Sequence, residues 1–316
     1  MCTAVSFKSK DSYFGRNLDL EKSYGESVVV TPRNYKFHMR TLPTVESHYA
    51  MVGMATVVGD YPLYYEATNE TGLSMAGLNF PYNAHYNAYE EGKNNLTPFE
   101  FIPYVLCGCK DIGEVKELLS DINLVNINFS EDLPLSPLHW IISDKETSIT
   151  VESVKDGLKI YDNPYGVLTN NPTFDYHLMN INNYMNLHEG AGENRISARH
   201  NLSTYSLGMG ALGLPGDYSS ASRFVRAVFI KEKSSCFESE KESVSHFFHI
   251  LGGVAMPKGC VMTKSGEYEY TRYSSCCNAD KGIYYYTTYD NSSPTAVHMH
   301  DCNLEGSRLY EFALSE

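Results

Sequence analysis

The sequence predicts an α+β fold in which two antiparallel sheets pack face to face and are covered by helices, giving four layers (αββα). Strand-like and helix-like segments follow one another in groups along the chain. Each predicted helix is amphipathic, so it can cover one face of a sheet. Hydrophobic residues make up 42% of the 316 residues, which allows a sizeable core. Because no linker-like stretch or internal repeat interrupts the pattern, residues 1–316 are predicted to form a single domain.

Runs of β-branched and aromatic residues bounded by turn residues mark the predicted strands. The segment 138–154 contains two apolar runs around the polar tetrapeptide DKET, which predicts a hairpin. A strand within 27–34 is expected to stop at Pro32, because proline cannot donate to a sheet. The remaining predicted strands are 49–60, GLKIYDN (157–163), YGVLTNN (165–171), YEYTRYSSC (268–276), GIYYYTTYD (282–290) and AVHMH (296–300).

Five amphipathic segments are predicted to be helices. Thr97, Pro98 and Glu100 form a capping-box arrangement at the start of the first. Apolar residues at helical spacing lie on one face of the second, namely Ile112, Val115, Leu118, Leu119 and Ile122, and on one face of the fifth, namely Val244, Phe247, Phe248 and Leu251. The predicted helices span 97–109, 111–122, 173–187, 220–233 and 241–251.

The chain is acidic, with 25 Lys and Arg residues against 38 Asp and Glu residues and a net charge of −13. A surface of this sign repels phosphate backbones and anionic lipids, so neither a nucleic-acid nor a membrane partner is expected. The first ten residues lack the basic start and apolar run of a secretory signal, so a cytoplasmic location is expected. In that compartment most of the scattered cysteines should be reduced and buried: Cys2, Cys107, Cys109, Cys236, Cys260, Cys276, Cys277 and Cys302.

The cysteine at position 2 is the first chemically informative residue. Aminopeptidases remove an initiator methionine that precedes a small residue, and this would leave Cys2 with a thiol and a free α-amine. An α-amine has a pKa of about 7.7–8.0, so it can act as a base near neutral pH beside a thiol of pKa about 8.5. Such a residue needs no catalytic histidine. The alternative interpretation is that Cys2 only begins a buried strand.

The segment FGRNLD (14–19) follows the first strand after a short turn. A hairpin would return Arg16 and Asp19 to the N-terminus, where Arg16 could stabilise a thiolate and Asp19 could hold the α-amine. Spacing alone favours a simpler interpretation, a surface ion pair at a turn.

Eight motifs in order together resemble the choloylglycine hydrolase family, which contains bile salt hydrolases and penicillin V acylases. The resemblance runs from residue 2 to about residue 290 and implies the αββα fold of the N-terminal nucleophile hydrolases, together with amide hydrolysis. The motifs are MCT, FGRNLDLE, PRNY, NETGLSMAGLNFP, LHWIISD, VLTNNPTFD, LPGDYSSASRF and GIYYYTTYDN.

The resemblance also implies roles for six residues. Cys2 corresponds to the nucleophile, Arg16 to the arginine beside the thiol, and Asp19 to the aspartate that holds the α-amine. Asn79 and Asn170 correspond to the two asparagines of the oxyanion site, with Asn171 as the rival of Asn170. Arg223 corresponds to the arginine that completes the polar network. No cofactor is implied, and the family resemblance suggests a homotetramer.

The substrate expected from the resemblance is a conjugated bile salt, because Asn79 stands where penicillin V acylases tend to have tyrosine. Penicillin V is the second candidate, and a binding module without turnover is the third. A steroid needs a mostly apolar pocket, and ordinary packing also explains each apolar residue near the site. The candidate pocket residues, assigned to loops, are Leu18, Leu20, Tyr24, Val58, Tyr65, Phe129, Leu133 and Leu138.

Two histidine pairs suggest metal binding but do not require it. His298 and His300 would share a face of one strand, which alternation in an edge strand also explains. His246 and His249 lie one helical turn apart, and their phenylalanine neighbours favour a partly buried helix instead. No metal site is therefore predicted.

Overall fold

The computed structural model describes residues 1–235 and 237–315, so Cys236 lies outside the described residues. The strands in chain order are β1 (Cys2–Lys8), β2 (Ser12–Leu20), β3 (Ser27–Thr31), β4 (Met51–Val58), β5 (Tyr61–Asn69), β6 (Ser74–Asn79), β7 (Asn94–Leu96), β8 (Ile122–Leu124), β9 (Leu138–Ser143), β10 (Ser148–Val154), β11 (Gly157–Asp162), β12 (Val167–Leu168), β13 (Tyr270–Asn278), β14 (Ile283–Thr288), β15 (Thr295–His298) and β16 (Tyr310–Ala313). The α-helices are α1 (Phe101–Gly108), α2 (Ile112–Leu119), α3 (Phe174–Asn180), α4 (Ser220–Glu232) and α5 (Glu240–Gly252).

The strands form two large sheets. The first sheet has the order β12-β1-β2-β13-β14-β15, and the second has the order β11-β10-β9-β6-β5-β4-β3-β16. Neighbouring strands within both sheets are antiparallel. Strands β7 and β8 form a small parallel pair outside the two sheets. The predicted α+β class with two antiparallel sheets is therefore confirmed.

Two hydrophobic cores produce the four layers. The first core lies between the sheets and continues under α4 and α5, whereas the second core lies between the second sheet and helices α1 and α2. The sequence of β4 is almost continuously apolar because the strand lies between the two cores. Its side chains Val52 and Met54 enter the first core, and Met51 and Ala55 enter the second. Because both faces of the sheet are covered, both sets of alternating side chains are buried.

Several predicted elements have the expected bounds, and some differ. Helices α4 and α5 match the predicted segments, and Thr97 with Glu100 forms the predicted capping box. The prediction of a helix to residue 187 was wrong, because α3 ends at Asn180 and a short 3₁₀ turn follows. Ile122 was also assigned wrongly, since α2 ends at Leu119 and Ile122 begins β8.

The largest error concerns Val58 and Tyr65, which were assigned to loops. Val58 ends β4 and Tyr65 lies in β5, and a tight turn joins the two strands, with Gly59 at φ 56° and Asp60 at φ 66°. Positive φ at both turn positions matches the right-handed twist of paired strands, which favours a two-residue hairpin turn.

No α-helix in the described residues has the length and apolar character needed to cross a membrane.

Candidate active site

The first hairpin brings the predicted polar residues back to the N-terminus. Strand β1 pairs with β2 so that Cys2 lies opposite Leu18 and Ala4 lies opposite Arg16. Arg16 and Asp19 are completely buried, and Cys2 is 2% exposed. The interpretation of Arg16 and Asp19 as a surface ion pair at a turn is therefore wrong. Fully buried charged residues are rare unless they are paired or functional.

Arg223 on α4 fixes the backbone of Cys2. Its Nη1 donates to the Cys2 carbonyl at 2.5 Å and to Thr3 Oγ1 at 2.7 Å, and its Nη2 donates to Asn170 Oδ1 at 2.7 Å. The Cys2 backbone nitrogen donates to the same Asn170 oxygen at 2.9 Å. Arg223 and Asn170 therefore hold both sides of the Cys2 backbone. Because the guanidinium is completely buried, its pKa is lowered, against the opposing negative charges of Asp19 and Cys2.

The side-chain amide of Asn170 has a defined orientation. Its Oδ1 accepts from two donors, so its Nδ2 must be the group that reaches the Asn79 carbonyl at 2.7 Å. An amide nitrogen carries two N–H donors, which leaves one for an oxyanion. Asn171 is directed elsewhere, because its Nδ2 contacts Asn83 Oδ1 and the Pro81 carbonyl. Of the two rival asparagines, the structure brings Asn170 to Cys2.

The backbone of Asn170 is held by two further side chains. Ser220 Oγ, at the start of α4, accepts from the Asn170 backbone N–H at 2.8 Å, and His177 Nε2 lies 3.0 Å from the Asn170 carbonyl. That carbonyl can only accept, so Nε2 carries the proton of the neutral ring. The position of Asn170 therefore depends on α3 and α4 as well as on its own loop.

We expect His177 to make stability depend on pH between 6.5 and 5. Burial lowers the pKa of His177 from 6.5 to about 4, and the charges of His139 and Arg223 act in the same direction. The unfolded chain therefore binds a proton in this window while the folded chain does not, so the free energy of unfolding falls as the pH falls. The contribution lost should be roughly 2 kcal/mol, measurable by urea denaturation at both pH values.

The control for this prediction is His177→Gln, which keeps a donor to Asn170 but cannot titrate. Its free energy of unfolding should lose less between pH 6.5 and 5 than that of the unmodified chain. Equal pH dependence in the two proteins would show that His177 does not titrate in this way.

Only one of the two carboxylate oxygens of Asp19 accepts a hydrogen bond from the described residues. Thr271 Oγ1 donates to Oδ1 at 2.6 Å, whereas the buried Oδ2 has no hydrogen-bond partner among the described residues. In the structure Met1 precedes Cys2, so the Cys2 nitrogen belongs to a peptide bond. The Met1 ammonium donates to the Asp19 carbonyl at 2.8 Å and pairs with Glu269. Burial lowers the pKa of this terminal amine, against the opposing charges of Cys2 and Asp19.

Arg16 also has an unused donor. Its Nη1 donates to the Gly77 carbonyl at 2.6 Å and to the Tyr65 carbonyl at 3.1 Å, while its buried Nη2 has no partner among the described residues. Burial lowers the pKa of Arg16, but the negative charges around it, with Cys2 first among them, outweigh burial and leave the pKa raised. An unused donor and an unused acceptor thus lie in the polar cluster around Cys2, and a thiolate and an α-amine are groups that could use them.

Four supporting residues were not predicted from the sequence. Thr3 contacts Arg223, and Thr271 contacts Asp19. Ser220 and His177 both contact the backbone of Asn170. Only Ser220 had a usable signal, since it stands three residues before Arg223 at the start of a predicted helix. Thr3 directly follows Cys2 and His177 lies seven residues after Asn170, but no sequence pattern marks either, and Thr271 approaches Asp19 from a strand that is distant in sequence.

The predicted pocket residues are mostly in strands rather than loops, so their assignment to loops was wrong. Leu18 is buried in the first core, opposite Cys2. Tyr65 Oη and Thr56 Oγ1 are 2.9 Å apart, and the Thr56 hydroxyl donates to the Tyr24 carbonyl. The Tyr65 carbonyl accepts from Arg16 Nη1, so Tyr65 adjoins Arg16. The strand residues are Leu18, Leu20, Val58, Tyr65 and Leu138, and the residues outside strands are Tyr24, Phe129 and Leu133.

Three of these residues lie towards the helix-facing side of the second sheet or in its adjoining loop. Leu138 begins β9 opposite Asn79 and packs on the second core. The ring of Phe129 lies 5.8 Å from that of Tyr61, which also packs on the second core. The Leu133 backbone N–H donates to Ser130 Oγ within the same loop.

Two surface cavities, of about 660 and 230 Å³, are not lined by Cys2.

The histidine pairs have local explanations. His298 ends the edge strand β15, whereas His300 lies in the 3₁₀ turn after it, so the prediction that one strand carries both was wrong. His246 on α5 contacts Ser234 Oγ at 2.6 Å and packs between the rings of Phe7 and Phe237. Within residues 1–235 and 237–315, no cluster of three or more His, Cys, Asp or Glu side chains is placed to hold a metal ion.

Comparison with known proteins agrees with this arrangement. A family model described as linear amide C–N hydrolases, choloylglycine hydrolase family, matches residues 2–312. A bile salt hydrolase/transferase from Lactiplantibacillus plantarum is 54% identical over 99% of this chain and 97% of its own length. A second bile salt hydrolase/transferase, from Clostridium perfringens, is 40% identical over 98% of this chain and 95% of its own length.

Solved structures show the same fold. A cysteine-to-alanine mutant of the conjugated bile acid hydrolase from Clostridium perfringens superposes with a TM-score of 0.92 at 38% identity, covering 100% of this chain and 97% of the other. The penicillin V acylase from Agrobacterium tumefaciens gives a TM-score of 0.79 at 21% identity, covering 99% and 92%, and this likeness concerns the fold alone.

Proposed function

Because this chain belongs to the choloylglycine hydrolase family of linear amide C–N hydrolases, we propose that it cleaves the amide bond of glycine- or taurine-conjugated bile salts with Cys2 as nucleophile. The observation that carries the proposal is the position of Cys2. It lies at the very start of β1, and Asn170 and Arg223 hold its backbone nitrogen and carbonyl. A reactive thiol at a fixed chain end is what an N-terminal nucleophile requires.

Removal of Met1 is the first step of the proposal. It converts the Cys2 peptide nitrogen into an α-amine that keeps the hydrogen bond to Asn170 Oδ1. It also releases the Asp19 backbone N–H, which donates to the Met1 carbonyl at 3.0 Å while Met1 is present. The unpartnered Asp19 Oδ2 is the acceptor that the new amine needs. Arg16, through its unused Nη2, provides the positive charge that stabilises the Cys2 thiolate.

The reaction then proceeds in two stages. The Cys2 thiolate attacks the amide carbonyl, and the second N–H of Asn170 Nδ2, together with Asn79, stabilises the oxyanion of the tetrahedral intermediate. The protonated α-amine of Cys2 transfers its proton to the departing nitrogen, which releases glycine or taurine and leaves a thioester. The free amine next takes a proton from water, and the resulting hydroxide attacks the thioester, releasing the bile acid and the thiolate.

The substrate class rests on the residue at position 79 and on the named relatives. The relatives from Lactiplantibacillus plantarum and Clostridium perfringens are named bile salt hydrolases, and they match nearly the full length of this chain. Asn79 stands where penicillin V acylases tend to have tyrosine. For the apolar wall of the steroid pocket we propose Leu20, Tyr24 and Tyr65, which lie at the end of β2, in the turn after it and beside Arg16.

We expect the chain without Met1 to release taurine from taurocholate at least tenfold more efficiently, in kcat/KM, than it releases phenoxyacetate from penicillin V, because a tenfold preference requires only about 1.4 kcal/mol of differential binding. Both assays should be run on one preparation. A preference for penicillin V would reverse the substrate assignment, and binding of taurocholate without turnover would favour the third candidate, a binding module.

The proposal extends to assembly and location. Residues 1–316 are proposed to form one domain, since the first core is shared by strands from both ends of the chain. A homotetramer is proposed from the family resemblance, and light scattering of the purified protein would test it. A cytoplasmic location is supported by the free state of the cysteines within the described residues.

A further inference from the structure

A second carboxylate is buried beside Arg16, and the proposed reaction does not use it. Glu66 on β5 is 2% exposed and extends from the second sheet towards the first. Three hydroxyl groups of the first sheet donate to it. Tyr284 Oη donates to Oε1 at 2.5 Å, Ser275 Oγ donates to Oε1 at 3.0 Å, and Tyr273 Oη donates to Oε2 at 2.8 Å.

Glu66 is coupled to Arg16 in two ways. Its Oε2 lies 3.8 Å from Arg16 Nη1 within the interior of the protein. Ser275 provides a second link, because its Oγ accepts from the Arg16 backbone N–H at 3.1 Å and donates to Glu66. The main chain and the guanidinium of Arg16 are thus both connected to one carboxylate.

The charges of the site balance only if Glu66 is counted. Arg16, Arg223 and Asp19 are completely buried, and Glu66 nearly so. Two guanidinium groups face two carboxylates, and Cys2 contributes no net charge either as thiol and amine or as thiolate and ammonium. Without Glu66 the cluster would carry a net charge of about +1 away from water, which is strongly unfavourable.

We propose that Glu66 is a positioning residue that sets how strongly Arg16 stabilises the Cys2 thiolate. The proposal rests on the proposed role of Cys2 as nucleophile. Glu66 does not touch the substrate. Its negative charge offsets part of the positive charge of Arg16. The thiolate is then stabilised enough to form but remains nucleophilic. A thiolate that is stabilised further becomes a weaker nucleophile.

The other titratable groups that face Glu66 are Tyr273 and Cys277 on β13 and Tyr284 on β14. Burial raises the pKa of each of these three groups, so they remain protonated at neutral pH. Burial also raises the pKa of Glu66, and the charge of Arg16 with the three hydroxyl donors opposes this. Arg16 is therefore the charged partner of Glu66 among these residues.

The test is the pH dependence of Cys2 alkylation by iodoacetamide in the chain without Met1, followed by mass spectrometry of the N-terminal peptide. In Glu66→Gln the midpoint should move to lower pH by roughly 0.5–1 unit, because a negative charge near the thiolate has been removed. With taurocholate at a pH where Cys2 is fully ionised, kcat should fall about two- to threefold, because a less basic thiolate is a weaker nucleophile. KM should stay within about twofold, because the substrate contacts are unchanged. The separate variant Glu66→Asp keeps the negative charge, so its alkylation midpoint should lie within about 0.3 unit of the parent value.

The matched control is Glu100→Gln. Glu100 is also completely buried, and its carboxylate accepts from Thr97 Oγ1 and from the Arg40 backbone N–H at 2.6 Å each, away from Cys2. This variant loses a buried carboxylate charge too, but its alkylation midpoint should not move. An equal shift in both variants, an upward shift, or no shift in Glu66→Gln would overturn the proposal.

A further variant covers the case in which Glu66→Gln does not fold. Tyr284→Phe removes one hydroxyl donor and leaves every charge in place. The carboxylate then binds its proton more readily, so the midpoint should move in the same direction by a smaller amount. An unmoved midpoint here would count against the proposal. Alkylation needs no substrate, so a failure to hydrolyse taurocholate would contradict the proposed function without affecting this measurement.

Discussion

Cys2→Ser is expected to lower kcat/KM for taurocholate by about 10³-fold or more, since removal of a catalytic nucleophile has effects of this order or larger. The substitution changes one atom and leaves the backbone contacts of Cys2 with Asn170 and Arg223 in place. A serine hydroxyl is far less acidic than a thiol of pKa about 8.5, so an α-amine of pKa about 8 cannot deprotonate it efficiently. Serine is also small, so Met1 should still be removed.

The control for this prediction is Cys260→Ser, which replaces an exposed free cysteine outside the strands. Its activity should equal that of the parent. The nucleophile assignment would have to be abandoned if Cys2→Ser hydrolysed taurocholate at the parent rate, with its N-terminal residue verified by intact mass.

Asn170→Ala should lower kcat by about 10²–10³-fold, which is the usual effect of removing one oxyanion donor. The structure adds a second reason. Asn170 Oδ1 receives hydrogen bonds from both the Cys2 nitrogen and Arg223 Nη2, so alanine would leave a buried guanidinium with an unpaired N–H. Part of the loss should therefore appear as lower stability. Steady-state kinetics and urea denaturation separate the two effects.

Asn171→Ala is the matched control for Asn170→Ala, because it removes the same amide from the next residue. Asn171 contacts Asn83 and the Pro81 carbonyl rather than Cys2, so kcat should change less than about tenfold. If Asn171→Ala had the larger effect on kcat, the two asparagines would have been assigned in the wrong order.

The sequence predicts the elements that have a regular pattern. The hairpin 138–154 and helices α4 and α5 are where periodicity and capping place them. It fails at β5, where Pro62 and the charged Glu66 interrupt the apolar pattern. Those interruptions have a tertiary cause, because Glu66 extends towards the other sheet and finds its partners there. Local patterns contain no information about a partner that lies 207 residues away in the sequence, as Tyr273 does from Glu66.

In the candidate site, too, the sequence predicts the local geometry but not the contacts made by distant elements. The sequence places Arg16 and Asp19 near Cys2 through a short hairpin, and this geometry is found. Spacing could not show that both residues are buried, because burial depends on β13 and on the second sheet. Thr271 and Glu66 come from those elements, and for this reason the groups that fix Asp19 and Arg16 were not predicted.

The central claim is tested most directly by varying the N-terminus alone. The chain can be produced with an N-terminal extension that a protease removes immediately before Cys2, and taurocholate hydrolysis can be measured before and after cleavage, with intact mass defining the terminus. Exposure of the Cys2 α-amine should raise kcat/KM by about 10²–10⁴-fold, the range expected for gain of a general acid–base group. Equal activity of the extended and the cleaved protein would contradict the claim that the thiol and the base belong to one residue.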